Sequence, residues 1–353
     1  MSRFTVTPGL PPDWDTWAGD GPAAGRGRWV EFGQSWYPGP YSTFALRDGE
    51  ECLVAMGGTV LPEPWPVPRR DAWSMLTGRT AHLGLFADGD HPWPADLDPA
   101  GVHPCLMLMY PNYFAYPVGA GAEDPAALRA FVSGLVDWAR SEGVRSIAVV
   151  YATPRADPLL AELERAGFAT GQMGERCDLP VTWSDFDGYL RSLPKKYRDE
   201  VKREINRLNE RDLVLGRRPM ADDEPELLDL RCQLIEKYDG QVNRAEQARM
   251  FELIRKYVAP EDITVCTVST KDGQLLSYSL FIQDGPEWTV MLLGSDYRSP
   301  EAAYGYFSAL FYQPIALAPE LGVELLAYGY GTLDAKRRRG CQLSPYRAAA
   351  LRL

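Results

Sequence analysis

Two β-rich runs meet at Asp48-Gly49, within YSTFALRDGEECLVAMGGTVL, and two more meet at Asp272-Gly273, within ITVCTVSTKDGQLLSYSLFIQ. Asp-Gly between such runs is a strong hairpin signal, because glycine takes the positive φ of a tight turn without steric cost. After each hairpin the same order follows: another strand, a helix, a strand and a terminal element. The repeat is one of architecture and not of sequence identity. Antiparallel hairpins followed by β-α-β predict an α/β class with mixed (α+β) sheets flanked by helices, made twice. A length of 353 residues suits two units with full cores, and the expected division is 1–180 and 181–353. A single large doubly wound domain is the rival arrangement.

Within the first unit, PCLMLMY at 104–110 and VRSIAVVYA at 144–152 read as buried strands. Between them Leu128, Phe131, Val132, Leu135, Val136 and Trp138 recur at helical spacing after Asp124-Pro125. LLAELERAG predicts a short helix and MGERCDLPV a last strand. The second unit opens on LPKKYRDEVKREINRLNERD, where Tyr197, Val201, Ile205 and Leu208 form one apolar stripe. Lys195, Arg198 and Lys202 fall on another face and present their charge outward. Two helices, three consecutive strands, a long helical stretch from Ala302, the strand VELLAYG and a basic terminal segment follow.

Several chemistries are excluded. The six cysteines are scattered singly with no C-x-x-C, which predicts reduced, buried thiols. The three histidines lack zinc spacing, so no metal is expected. There is no G-x-S-x-G, no G-x-x-x-x-G-K-[ST] and no complete G-x-G-x-x-G, which removes hydrolase, nucleotidase and nicotinamide readings. No apolar run is long enough to cross a membrane, and the opening MSRFTVTPGLPPDWD lacks a secretory layout. A cytoplasmic location without membrane insertion is the expectation.

The net charge of -11 argues against a protein that coats DNA, since that binding depends on neutralising phosphates. The average hides an asymmetry. Residues 1–180 carry a net -9 and residues 181–353 only -2. Segments 191–218 and 334–353 are each locally +5, which points to a localised polyanion. Solvated basic faces are the plainer explanation of either run taken alone. Gly329 and Gly331 in YGYGTLDAKRRRG would let a ligand approach the backbone after a strand end.

From FDGYLRSLPKKYRDEVKREINRL through DGQLLSYSLFIQ, SDYRSPEAAYGYF and YGYGTLDAKRRRG, about 170 residues of the second half resemble the divergent GNAT-type acyltransferase half of Fem-type proteins. The first half is similar to the degenerate partner domain of such tandem-GNAT proteins in element order alone. The resemblance implies two GNAT-like domains, the second binding the donor and catalysing. It implies transfer of an aminoacyl group from aminoacyl-tRNA to a small-molecule amine or hydroxyl acceptor, as in cell-wall precursors or natural products. Lys336 matches the lysine of the Fem-type C-terminal motif and would stabilise charge on the ester carbonyl. Lys195, Lys196, Arg198, Lys202 and Arg203 would track tRNA phosphates, with Arg337, Arg338 and Arg339 as a second contact. Arg298 and Ser299 occupy the donor loop. Asp239 or Glu236 are candidates for the base; Tyr304 and Tyr306 would orient donor or acceptor, and Tyr328 and Tyr330 are further substrate contacts.

Members of this superfamily that use acetyl-CoA carry Q/R-x-x-G-x-G/A between a strand and a helix, whereas the matching place here reads Arg298-Ser299-Pro300-Glu301-Ala302-Ala303. Glu301 stands where glycine would let the backbone reach a pyrophosphate, and its charge opposes one. Gly119-Ala120-Gly121-Ala122 in the first half lacks the leading Arg or Gln. The expectation is therefore no bound cofactor and a tRNA donor. An acyl-CoA-dependent N-acyltransferase and a catalytically inactive GNAT pair that binds tRNA or protein are the alternatives.

Overall fold

The computed structural model describes residues 2–19, 21–35, 40–86, 88–110, 113–239 and 241–353. They gather into two units, Met1–Arg176 with Ser344–Leu353, and Cys177–Leu343.

In the first unit, strand β1 (Arg3–Pro8) is followed by the short helices α1 (Trp14–Ala18) and α2 (Gly27–Gln34), the hairpin β2 (Tyr41–Asp48) and β3 (Glu51–Leu61), and helix α3 (Ala72–Leu76). Then come β4 (Cys105–Leu108), α4 (Pro125–Ser141), β5 (Ser146–Ala152), α5 (Asp157–Arg165) and β6 (Ala169–Pro180), which ends in the second unit. Gly49 closes the β2–β3 turn at φ 62°, as its Asp-Gly signal predicts. Asp124 caps α4 by accepting from the N–H of Ala126, and Pro125 fills the first helical position. The stripe Leu128, Phe131, Val132 and Leu135 is fully buried against Phe44, Leu106 and Ile147 of the sheet.

The second unit continues with α6 (Phe186–Ser192), α7 (Lys195–Asn209), β7 (Val214–Arg218), α8 (Pro225–Asp239) and α9 (Arg244–Tyr257). Strands β8 (Ile263–Ser269), β9 (Leu275–Asp284) and β10 (Glu287–Ser295) form the antiparallel meander read from the sequence. Next are α10 (Ala302–Phe307), a π-helical turn Ser308–Tyr312, α11 (Gln313–Leu317), β11 (Leu325–Tyr330), α12 (Leu333–Arg337) and β12 (Gln342–Arg352). Gly273 and Gly285 supply the positive φ of the two turns. A Cβ on Gly294 of β10 would stand 2.7 Å from the backbone of Leu230 and 2.8 Å from that of Arg231, so the glycine lets α8 lie directly on the strand.

The two units repeat one strand pattern. β1, β2, β3 and β4 run antiparallel in turn and β5 lies parallel to β4. β7, β8, β9 and β10 run antiparallel in turn and β11 lies parallel to β10. The sixth place is exchanged along the chain. Beside β5 lies β12, with Arg347 opposite Ala152, and beside β11 lies β6. The expected boundary at 180 therefore requires correction: Cys177–Pro180 belong to the second unit and Ser344–Leu353 to the first. A boundary drawn at one point in the sequence cannot express an exchange of end strands.

All six cysteines are free and buried. Burial pushes Cys52 up to about 11 and Cys105 and Cys266 up to about 12. Titration with a disulfide reagent near pH 8 is expected to find no fast-reacting thiol in the native protein and six after denaturation; several fast thiols in the folded state would contradict this packing.

Candidate functional site

The parallel pair β10–β11 is joined only at Glu287, Trp288 and Thr289, opposite Leu325, Leu326 and Ala327. Beyond these residues both strands continue without pairing to each other. Met291 is an extra residue in the register of β10 against β9, between Val290 and Leu292. Such a bulge bends its strand and increases the local twist, which opens a notch towards the carboxyl ends of β10 and β11. Ligands in open α/β sheets occupy crevices at that end. Val290, Met291 and Leu293 are half-buried along it.

Backbone groups released from a ladder need other partners. Two cations meet carbonyls near these strand ends, Lys336 with Cys177 and Asp178 of β6 among its neighbours. Lys336 Nζ donates to the carbonyls of Tyr328 at 2.7 Å, Gly329 at 3.0 Å and Tyr330 at 2.9 Å. Gly329 at φ 63° and Gly331 at φ 81° let the chain curl around the ammonium. On the other strand, Arg231 of α8 donates from Nη1 to the carbonyl of Leu293 at 3.3 Å. Lys336 is only 8% exposed, and burial holds its ammonium below the ordinary lysine value. An ammonium has three N–H donors, so in this conformation all of them are committed to the strand end.

Arg339 differs from its expected role at a tRNA contact. It is 2% exposed and donates to Glu204 of α7 at 2.7 Å, to the Tyr312 hydroxyl at 3.2 Å and to the Ala335 carbonyl at 2.7 Å. Its guanidinium lies 3.6 Å from the centre of the Phe307 ring, and the Tyr312 hydroxyl donates to Glu204. Tyr312 and Glu204 hold it charged against the cost of burial. The run Arg337-Arg338-Arg339 is thus split: Arg337 and Arg338 are exposed, the latter paired with Glu200 at 3.3 Å, while the third arginine faces inward. Tyr328 also requires correction as a substrate contact. It is 4% exposed, packed on Phe311 at 4.5 Å between ring centres. Tyr330 is half-buried.

Helix α7 follows its sequence pattern. Val201 and Leu208 are buried, Tyr197 and Ile205 half-buried, and Lys195, Lys196, Lys202 and Arg203 exposed, with Arg198 between. Beside its start, Trp183, Leu193, Tyr197, Arg337 and Gln342 line a cleft of about 350 Å³.

The loop after β10 is closed on itself. Asp296 accepts from the N–H of Arg298 at 3.1 Å and from Gln274 Nε2 at 3.2 Å. Ser299 N–H donates to the Asp296 carbonyl at 3.0 Å, and the Ser299 hydroxyl to Glu301 at 3.0 Å. The Arg298 side chain is exposed and 3.5 Å from Asp296. Two carboxylates and inward-turned donors oppose a pyrophosphate here. Tyr304 lies under the Arg211 guanidinium at 3.6 Å, and burial, with Tyr238 nearby, lifts Tyr306 to about 12 against the opposing pull of Arg231 and Arg339. Asp239 ends α8, but its side chain falls outside the described residues, and Glu236 is exposed. Among the described residues no cluster of three or more His, Cys, Asp or Glu could hold a metal.

The matching place in the first unit is filled. After β4 pairs with β5 as far as Leu108 and Val149, the chain returns and bridges Ala115 to Ala152. Ala115 donates to the Tyr151 carbonyl at 2.9 Å and accepts from Thr153 at 3.1 Å. The Gly119-Ala120-Gly121 donors are bound to the carbonyls of Trp17, Cys52 and Leu53. The notch is therefore a property of the second unit. Arg231 and Glu204 were not anticipated; neither stands in a motif, and only the released Leu293 carbonyl and the buried Arg339 reveal their work.

Replacing Lys336 by Met would leave three strand-end carbonyls without their donor, at a cost of about 3 kcal/mol or more. Calorimetry is expected to show a lowered Tm together with any loss of activity. A residue that served only a reaction intermediate would change the rate at unaltered Tm.

No family model and no curated relative matches the chain. Solved structures do. FemX has a TM-score of 0.60 at 12% identity, covering 97% of this chain and 96% of that one. A conserved protein of unknown function from Bacteroides thetaiotaomicron has 0.55 at 14%, covering 99% and 100%. A tandem GNAT protein from the clavulanic acid biosynthesis pathway has 0.50 at 12%, covering 99% and 98%. These likenesses span both units, and the chain has a tandem GNAT-like fold.

Proposed function

We propose that the protein is an acyltransferase that moves an aminoacyl group from aminoacyl-tRNA to a small-molecule amine or hydroxyl acceptor in the cytoplasm. The observation that carries this reading is the open β10–β11 notch joined to a donor loop closed by Asp296 and Glu301. The notch admits an acyl group; the loop disfavours coenzyme A. The exposed basic face of α7 suits the phosphates of an acceptor stem, and the Fem-type resemblance supports the same donor.

In the reaction proposed, the acceptor nitrogen or oxygen attacks the ester carbonyl, its bond to carbon forms and the ester C–O bond breaks. The acceptor's proton passes to the departing ribose oxygen. An activated ester in this position needs mainly orientation and support for the developing oxyanion. Lys336 holds the Tyr328–Tyr330 backbone in its curl, and reaches an oxyanion only by exchanging one of its three carbonyls. Arg231 stands at the opposite strand and is the second cation of the notch.

Incubation with total tRNA charged with labelled amino acids is expected to release label only when an extract supplies the acceptor. Absence of release across all amino acids, or micromolar calorimetric binding of acetyl-CoA, would overturn the reading. Replacing Lys195, Lys196, Lys202 and Arg203 by Ala is expected to weaken tRNA binding and to flatten its log-log salt dependence by about 1 for each phosphate no longer neutralised.

A further inference from the structure

Few large apolar or aromatic side chains are exposed among the described residues, and two of them meet. Tyr238, near the end of α8, is 67% exposed, and Tyr297, just after β10, is 36% exposed. They lie far apart in the chain, yet one lysine stands against both rings. Lys237 Nζ stands 3.7 Å from the centre of the Tyr297 ring and 5.4 Å from that of Tyr238. Next in sequence to Tyr297, the exposed Arg298 is turned to Asp296 at 3.5 Å, which leaves Lys237 as the cation of this pair of rings. Both rings keep part of their surface open to solvent, Tyr238 the larger share, while Lys237 lies over the face of Tyr297.

Flat rings beside cations match a nucleobase and its phosphate: the base stacks and the cation meets the charge. The location fits as well. Because β10 and β11 are parallel, Ser295 and Tyr330 end at the same edge of the sheet, so Tyr297 stands at the mouth of the notch. An ester carbon seated in the notch would leave the terminal nucleotide of its carrier at that mouth. We propose that Tyr238, Tyr297 and Lys237 form a stacking platform for a base of the single-stranded 3′ end of the aminoacyl-tRNA donor, with Lys237 meeting its phosphate. The proposal rests on the aminoacyl-tRNA reading given above.

The test uses the full chain and two fluorescent RNA hairpins, one ending in single-stranded ACCA and one blunt. Wild type should bind the ACCA hairpin more tightly than the blunt one. Tyr238→Ala and Tyr297→Ala should each weaken the ACCA hairpin by about 5-fold to 150-fold and leave the blunt one unchanged. Tyr238→Trp and Tyr297→Trp should restore it, which guards against loss of fold as the cause. In transfer assays the Ala variants should raise KM for charged tRNA at little-changed kcat. Equal binding of the two hairpins by wild type, or wild-type KM in the double Ala variant, would overturn the platform while leaving the transferase reading intact. ACCA-dependent binding that requires both tyrosines, in a protein that transfers no amino acid, would establish the platform and overturn the transferase reading.

Discussion

The second unit depends on one buried ammonium. Parallel strands that separate must leave backbone groups without partners, and a sheet that opened at β10–β11 would ordinarily fill the gap with chain or water. Lys336 gathers three successive carbonyls of β11 instead, and the short helix α12 that carries it is fixed in turn through Arg339, Glu204 and Tyr312. The strand end, α12, α7 and the π-helical turn are thereby one polar assembly inside an apolar core. The exposed basic face of α7 owes its position to Glu204 on the opposite side of the same helix.

The first unit shows what the same strand pattern does without such a cation. There the chain after β4 turns back, and Ala115 takes the place beside β5 that stays vacant beside β11. Its glycine-rich turn is pressed on β3, where a Cβ on Gly119 would stand 2.6 Å from the Leu53 carbonyl oxygen. One topology thus serves two ends: a sheet whose strand ends are closed by returning chain, and one left open as a notch.

Much of this was legible in the sequence, for identifiable reasons. Hairpin turns need positive φ, and Gly49 and Gly273 stand where Asp-Gly places them. Helices α4 and α7 bury the stripes that their spacing marks. What stayed hidden was polar and long-range. Arg339 reads as part of a basic run because sequence shows charge and not the Glu204 partner, which lies on another helix. Tyr328 reads as a ligand contact beside glycines, but it alternates into the core with Phe281 and Phe311. The strands β1 and β7 carry little signal because one lies in a Pro/Gly/Trp-rich lead-in and the other follows a charged helix. The β12 strand is obscured by its arginines, of which Arg347 pairs with Asp157 of the first unit.

The exchange of end strands has a consequence in time. On the ribosome the first unit emerges early with β1 to β5 in hand, but the partner that covers β5 is made only after the whole second unit has been synthesised. Until then β5 presents an unpaired edge of Ile147, Val149 and Tyr151, the kind of edge that recruits neighbouring chains. Completion of the first unit is thus tied to synthesis of the stretch that forms the second.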